Sequence, residues 1–95
     1  MTKNKLPEKV LINPYVVAQD VDDEIVLLHM ETEQYFSLDD IGTKMWKLLT
    51  EKDTVQEVLQ AMLSLYNVDE TRLRNDLEKL ISRLVEAKLI SIQDN

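Results

Sequence analysis

With 95 residues, 44% of them hydrophobic and 31% charged, the chain is long enough for one core, too short for two, and too apolar to be disordered throughout. The lack of cysteine excludes disulfides and thiolate metal sites, and the opening MTKNKLPEKV has no apolar run of the secretory kind, so a cytoplasmic protein without a membrane span is expected. The net charge of −7 gathers in residues 19–53 and argues against a nucleic-acid partner, because phosphate backbones are bound chiefly by Lys and Arg.

In chain order, residues 1–13 read as a polar N-terminal tail and residues 14–95 as the folded domain. Pro14 stands at the entrance of a β-branched run, YVVAQDV, where a missing N–H costs little. Asp22 and Asp23 offer a turn, and EIVLLHM follows as a second strand. ETE is a polar turn and QYFSL a short third strand, with Tyr35 and Ser37 on one side and Phe36 and Leu38 on the other.

Three helices come next. Asp39 can cap the first, whose apolar positions Ile41, Met45, Leu48 and Leu49 recur at helical spacing. Thr54 and Glu57 form a capping box before a stripe of Val55, Val58, Leu59, Met62 and Tyr66. Asp69 caps a third helix running to about Lys88 with a core face of Leu73, Leu77, Leu80, Ile81 and Leu84. The LISI that follows is either a strand or a packed tail. The order β-β-β-α-α-α predicts an α+β domain, a three-stranded antiparallel sheet followed by three helices, with a winged helix-turn-helix as the structural analogy. A DNA-reading third helix is distinctly basic, whereas this one balances its acids and bases.

Catalytic chemistry finds no foothold. His29, Glu31 and Glu33 share a strand face, but one His beside exposed acids is the pattern of a solvated strand edge, not of a metal site. Asp20, Asp22, Asp23 and Glu24 lack the spacing, glycine and terminal Glu of a calcium loop. No serine lies in a nucleophile motif. The expectation is a protein that is not an enzyme and needs neither cofactor nor metal.

The stretch YFSLDDIGTKMW pairs a strand ending in Leu-Asp with a helix bearing the only Gly and the only Trp of the chain. With Tyr35, Phe36, Leu38, Asp39, Gly42 and Trp46 in these places, and with TVQEVLQAMLSLYNVD and NDLEKLISRLVEAKLI after them, residues 14–92 resemble the PqqD-like family, the recognition elements of ribosomally made, modified peptides. Asp39 where Asn is commoner and Lys88 where a helix-ending Gly is usual are departures. Within the family the pattern is most like the stand-alone recognition proteins of lasso-peptide clusters, which work beside a separate cysteine leader peptidase; a PqqD-type chaperone of another pathway, including PQQ, is the alternative, and a winged-helix DNA regulator a further one.

The resemblance implies a partner, the leader of a precursor peptide, and a second partner, the leader peptidase or another maturation enzyme. A free strand edge can take an extended peptide as an added strand. Candidate peptide-binding residues are Thr32, Glu33, Gln34, Tyr35, Phe36 and Ser37, acting mainly through their backbone, and Arg72, Asp76, Lys79 and Arg83 on one flank of the third helix. The other flank, Arg74, Glu78, Ile81 and Val85, is the alternative wall. Gly42 is expected to make room for Trp46 one turn later, fixing the angle between strand and helix.

Overall fold

The structure, a computed structural model, describes residues 6–93. Its elements follow in the order β1 (Lys9–Ile12), β2 (Val16–Val21), β3 (Glu24–His29), β4 (Gln34–Ser37), α1 (Asp40–Glu51), α2 (Val55–Leu65), α3 (Glu70–Glu86) and β5 (Ile90–Gln93). The α+β, winged-helix-like expectation holds: β2, β3 and β4 form an antiparallel meander in that spatial order, and three helices follow it. Among the described residues no helix is long and apolar enough to cross a membrane.

The expected tail needs correction. Lys9–Ile12 lies inside it and forms a second, two-stranded sheet with β5, Val10 opposite Ile92 and Ile12 opposite Ile90. The LISI segment is therefore a strand. Two further bonds seat this sheet: Val55 N–H donates to the Glu8 carbonyl at 2.9 Å, and Asn13 N–H donates to the Leu89 carbonyl at 3.0 Å. Four residues whose partner lies at the other end of the chain carry no local signal, which is why the segment reads as a tail. Residues 1–5 of that tail lie outside the described residues.

Helix starts obey their local signals. Asp39 Oδ1 accepts the Gly42 N–H at 2.8 Å, Asp69 Oδ2 accepts the Arg72 N–H at 3.1 Å, and Thr54 with Glu57 completes the reciprocal box. Each cap satisfies an otherwise orphaned backbone donor and contributes about 1 kcal/mol. The end of α3 is equally specific. Lys88 sits at φ 63°, its N–H donates to the Val85 carbonyl at 3.0 Å, and the Leu89 N–H donates to Leu84 at 2.9 Å. This is the Schellman arrangement, with lysine in the left-handed place that favours glycine. Lys88→Gly should therefore raise stability by ~0.5–1 kcal/mol in urea unfolding. An unchanged midpoint would mean that the lysine side chain offsets its own strain.

The core lies between the meander and the helices. Ile25 and Leu27 point inward from β3, and Met45, Leu59, Met62, Leu77 and Leu84 meet them from the helices. Two polar residues are buried with them. Thr43, 4% exposed, accepts the Ile25 N–H at 2.9 Å and donates to the Leu38 carbonyl at 3.3 Å. Its hydroxyl thus stands between two backbone groups at the end of the β3-β4 ladder and ties α1 to it. Thr43→Val keeps the shape and leaves a buried N–H unpaired, so a loss of ~1–3 kcal/mol is expected by thermal or urea unfolding. A loss below ~0.5 kcal/mol would mean that the bridge contributes little.

His29 is the other, and it does not lie on a solvated edge. It is 2% exposed; Nδ1 accepts the Glu31 and Thr32 N–H groups at 3.2 and 3.3 Å, and Nε2 lies 3.3 Å from the Asn13 amide. It organises the β3-β4 turn from within. Gly42 also acts differently from the expectation. A Cβ there would meet Asp39 Oδ1 at 3.2 Å and Leu38 Cβ at 3.4 Å, so the glycine admits the incoming strand end and its cap rather than Trp46.

Candidate binding groove

Strand β4 pairs with β3 on one side only, which leaves its other edge without a strand among the described residues. Antiparallel ladders alternate, so two observed bonds settle which groups point outward. Met30 N–H donates to Tyr15 and Leu38 N–H donates to Ile25, at 2.8 and 2.9 Å. Even-numbered residues of β3 consequently bond β2, and odd-numbered ones bond β4. With Leu27 opposite Phe36 and Leu28 opposite Tyr35, the backbone of Phe36 is used by β3 while Tyr35 and Ser37 direct their N–H and C=O groups to the open edge.

Beside the inner side of this edge runs α3. Two concavities of about 490 and 380 Å³ lie end to end along it, sharing Ile41 and Asp76. The first has an apolar floor of Ile41, Tyr66, Val68 and Leu73 under Arg72; the second lies between the Asp39–Met45 segment of α1 and Lys79, Leu80 and Arg83. At the strand end, the Arg83 guanidinium stands 5.0 Å over the Phe36 ring. Such a contact contributes ~0.5–1 kcal/mol at exposed sites and holds helix and strand at a set spacing.

The flank Arg72, Asp76, Lys79 and Arg83 thus lines two adjoining concavities, while on the alternative flank Ile81 is buried in the core and Val85 faces a separate cleft near β5. Arg72 and Asp76 do not form the i, i+4 pair that helical spacing allows, whereas Arg74 on the far flank holds Glu70 at 3.0 Å. Charges beside an apolar floor are left open to a ligand.

Of the strand candidates, Gln34, Tyr35, Phe36 and Ser37 form the edge strand. Phe36 is half-buried under Arg83, and Tyr35, 74% exposed, projects from the outer face of the sheet, away from α3. Thr32 and Glu33 belong instead to the turn. Thr32 N–H is committed to His29 Nδ1, and Glu33, at φ 61°, donates to the His29 carbonyl at 2.7 Å. Neither offers a free donor to an added strand. Ile41, Tyr66, Val68 and Leu73 were absent from the candidate residues, because apolar positions near a helical stripe read as core.

Residues 24–90 match the family described as coenzyme PQQ synthesis protein D (PqqD). The chain belongs to the PqqD family. The matched span runs from the start of β3 to the start of β5 and takes in the edge strand and both groove walls. Among solved structures, the PqqD fold seen here is similar to that of TbiB1 in complex with the TbiA(beta) leader peptide, at 34% identity and a TM-score of 0.82, over 90% of this chain and 99% of that one. A lasso peptide synthetase B1 complexed with the leader peptide aligns with a TM-score of 0.78 at 23% identity, over 86% of this chain and 96% of that one, a likeness of fold. No curated protein matches the chain. In this PqqD member the departures at Asp39 and Lys88 leave the geometry intact: Asp39 caps α1, and Lys88 adopts the conformation that the usual glycine would.

Proposed function

We propose that this PqqD-family protein is a non-catalytic adaptor that binds the leader of a ribosomally made precursor, as an added strand on β4, and presents it to a leader peptidase or other maturation enzyme in lasso-peptide biosynthesis in the cytoplasm. The observation that carries the reading is the open backbone of Tyr35 and Ser37 on either side of Phe36, whose ring lies under Arg83 at the end of the concavities that Arg72, Asp76 and Lys79 also line. Dimensions support it, since a 17-residue helix is roughly 25 Å long and an eight-residue strand spans roughly 26 Å. The complexes of similar structures with leader peptides support it too. Backbone pairing supplies register and general affinity; the apolar floor and the charges above it supply selectivity. Ordering a disordered leader costs ~2–5 kcal/mol, so binding near micromolar, about −8 kcal/mol, is expected.

The test is calorimetric titration with a synthetic leader, coupled to a cleavage assay. The protein alone should leave the precursor intact. With the peptidase present it should lower the apparent KM, because holding the substrate raises its effective concentration. Cleavage by the purified protein alone, persisting at constant specific activity through a second, orthogonal purification step, would sink the reading.

A further inference from the structure

His29 has two ring nitrogens, and both face donors. On one side Nδ1 accepts the Glu31 and Thr32 N–H groups at 3.2 and 3.3 Å. On the other, Nε2 lies 3.3 Å from the Asn13 amide nitrogen, whose orientation is fixed twice: Oδ1 accepts the Tyr15 N–H and Nδ2 donates to the Lys88 carbonyl, each at 2.8 Å. A neutral imidazole has one N–H and one acceptor, whereas a protonated one has two N–H groups and no acceptor. Only the neutral form with a bare Nδ1 holds the turn. Its hydrogen then sits on Nε2, and a second proton would set N–H against N–H at Nδ1, in a residue that is 2% exposed. No carboxylate compensates. The titratable groups on the surrounding segments are Tyr15 on the β1-β2 connection, Glu31 and Glu33 in the turn and Lys88 after α3, all exposed, and among the described residues no carboxylate bonds the ring. Its register partners Val16 on β2 and Gln34 on β4 carry no charge.

The turn that this ring holds is the hinge of the open edge. Glu33, its last residue, sits at φ 61° in the left-handed region, with its N–H donating to the His29 carbonyl at 2.7 Å. Gln34 begins β4 immediately afterwards, and Tyr35, whose backbone faces the open edge, is two residues from the strained position. Such a conformation persists only where its surroundings over-determine it, and here His29 supplies three of the bonds that do so. We infer that His29 is a positioning residue for the leader: its bare Nδ1 keeps the turn, and with it the β4 edge, in the shape that accepts an added strand, so that leader and proton compete for the protein. The inference rests on the strand-addition reading above. The closed turn binds one proton fewer than the open one. Closing is therefore favoured as pH rises through the neutral range in which imidazoles titrate, and is lost on acidification. Linkage is reciprocal, so leader binding at a pH where the ring is partly protonated expels a proton into solvent.

Two substitutions divide the ring. Asn carries an oxygen on the same γ carbon that bears Nδ1 and does not titrate, whereas Gln sets its polar atoms one bond further out and leaves the turn donors unmet. Affinity for a synthetic leader is measured by calorimetry at about pH 7.5 and about pH 5.5, in two buffers of different ionisation enthalpy, with unfolding midpoints taken at both. The wild type should bind about fivefold or more weakly at the lower pH and release a fraction of a proton on binding near neutrality. His29→Asn should bind within about threefold of the wild type at the higher pH, with neither the additional acid loss nor the release. His29→Gln should bind about tenfold more weakly at both. Asp76 and any acidic leader residues are common to all three proteins, so the difference between profiles isolates His29. In the free wild type, the Glu31 and Thr32 amide resonances should move with the titration of the ring itself. Parallel acid losses in wild type and His29→Asn, wild-type affinity in His29→Gln, or turn amides that ignore the ring overturn the inference. If His29→Asn does not fold, the wild-type resonances and proton release decide it. A wild type that binds no leader at either pH would instead overturn the adaptor reading itself.

Discussion

Ser37→Pro should weaken leader binding by roughly thirtyfold, about 2 kcal/mol, while Ser37→Ala changes it little. The ladder alternation places the Ser37 N–H on the open side of β4, so proline there deletes a donor to the ligand and none to β3. The loss combines a backbone hydrogen bond, ~0.5–1.5 kcal/mol net, with an acceptor on the peptide left unpaired and the bulk of the ring at the contact. Phe36→Pro is the informative control. Its N–H belongs to the β3 ladder, so that variant should lose fold stability first and binding as a consequence. Proline at Thr32 is no substitute for this test, since it would act on the bond from Thr32 N–H to His29 Nδ1. Equal affinity for Ser37→Pro and Ser37→Ala in calorimetry, with unfolding midpoints matched, would count against strand addition.

Charge reversal at the strand end of the groove should be nearly as costly. Arg83→Glu removes the guanidinium stacked over Phe36, puts a carboxylate against the negative face of the ring, and inverts the charge at the rim of the second concavity. A loss of ~1–3 kcal/mol in leader affinity is expected, with most of it restored by Arg83→Lys only if charge rather than planar stacking dominates. Asp76→Lys, where the two concavities meet, should act in the same direction and weaken at high salt. Unaltered titration curves for both reversals would reduce this flank to a solvated surface. Stability is a separate matter: Arg83 is exposed, so the fold itself should change by no more than ~1 kcal/mol.

Both predictions depend on facts of different origin, and the difference is physical. Residues within one turn of each other decided the helix starts. Asp39, Thr54 and Asp69 bond N–H groups three positions on, and such short-range bonds are written in the sequence as residue type and spacing. The apolar stripes of α1, α2 and α3 and the meander with its turns were legible for the same reason: period and local chemistry suffice, whereas they left two flanks of α3 open as the groove wall. The resemblance carried by Tyr35 to Trp46 and by the later helices is local too, and it lies within the span 24–90 that matches the PqqD family.

Tertiary structure decided everything that joins distant residues. β1 finds β5 across the whole domain, so the segment 9–12 has no partner a local reading could name. Thr43 is an ordinary helical threonine until α1 lies against the Ile25 N–H and the Leu38 carbonyl. His29 looks solvated until the turn folds over it and Asn13 arrives from the connection between β1 and β2. Whether Tyr35 or Phe36 offers its backbone to a ligand depends on a parity that period-2 patterning cannot supply, because side-chain alternation says which face a residue takes and not which neighbour its N–H bonds. That parity was set by the bond from Leu38 to Ile25, and with it the open edge fell to Tyr35 and Ser37.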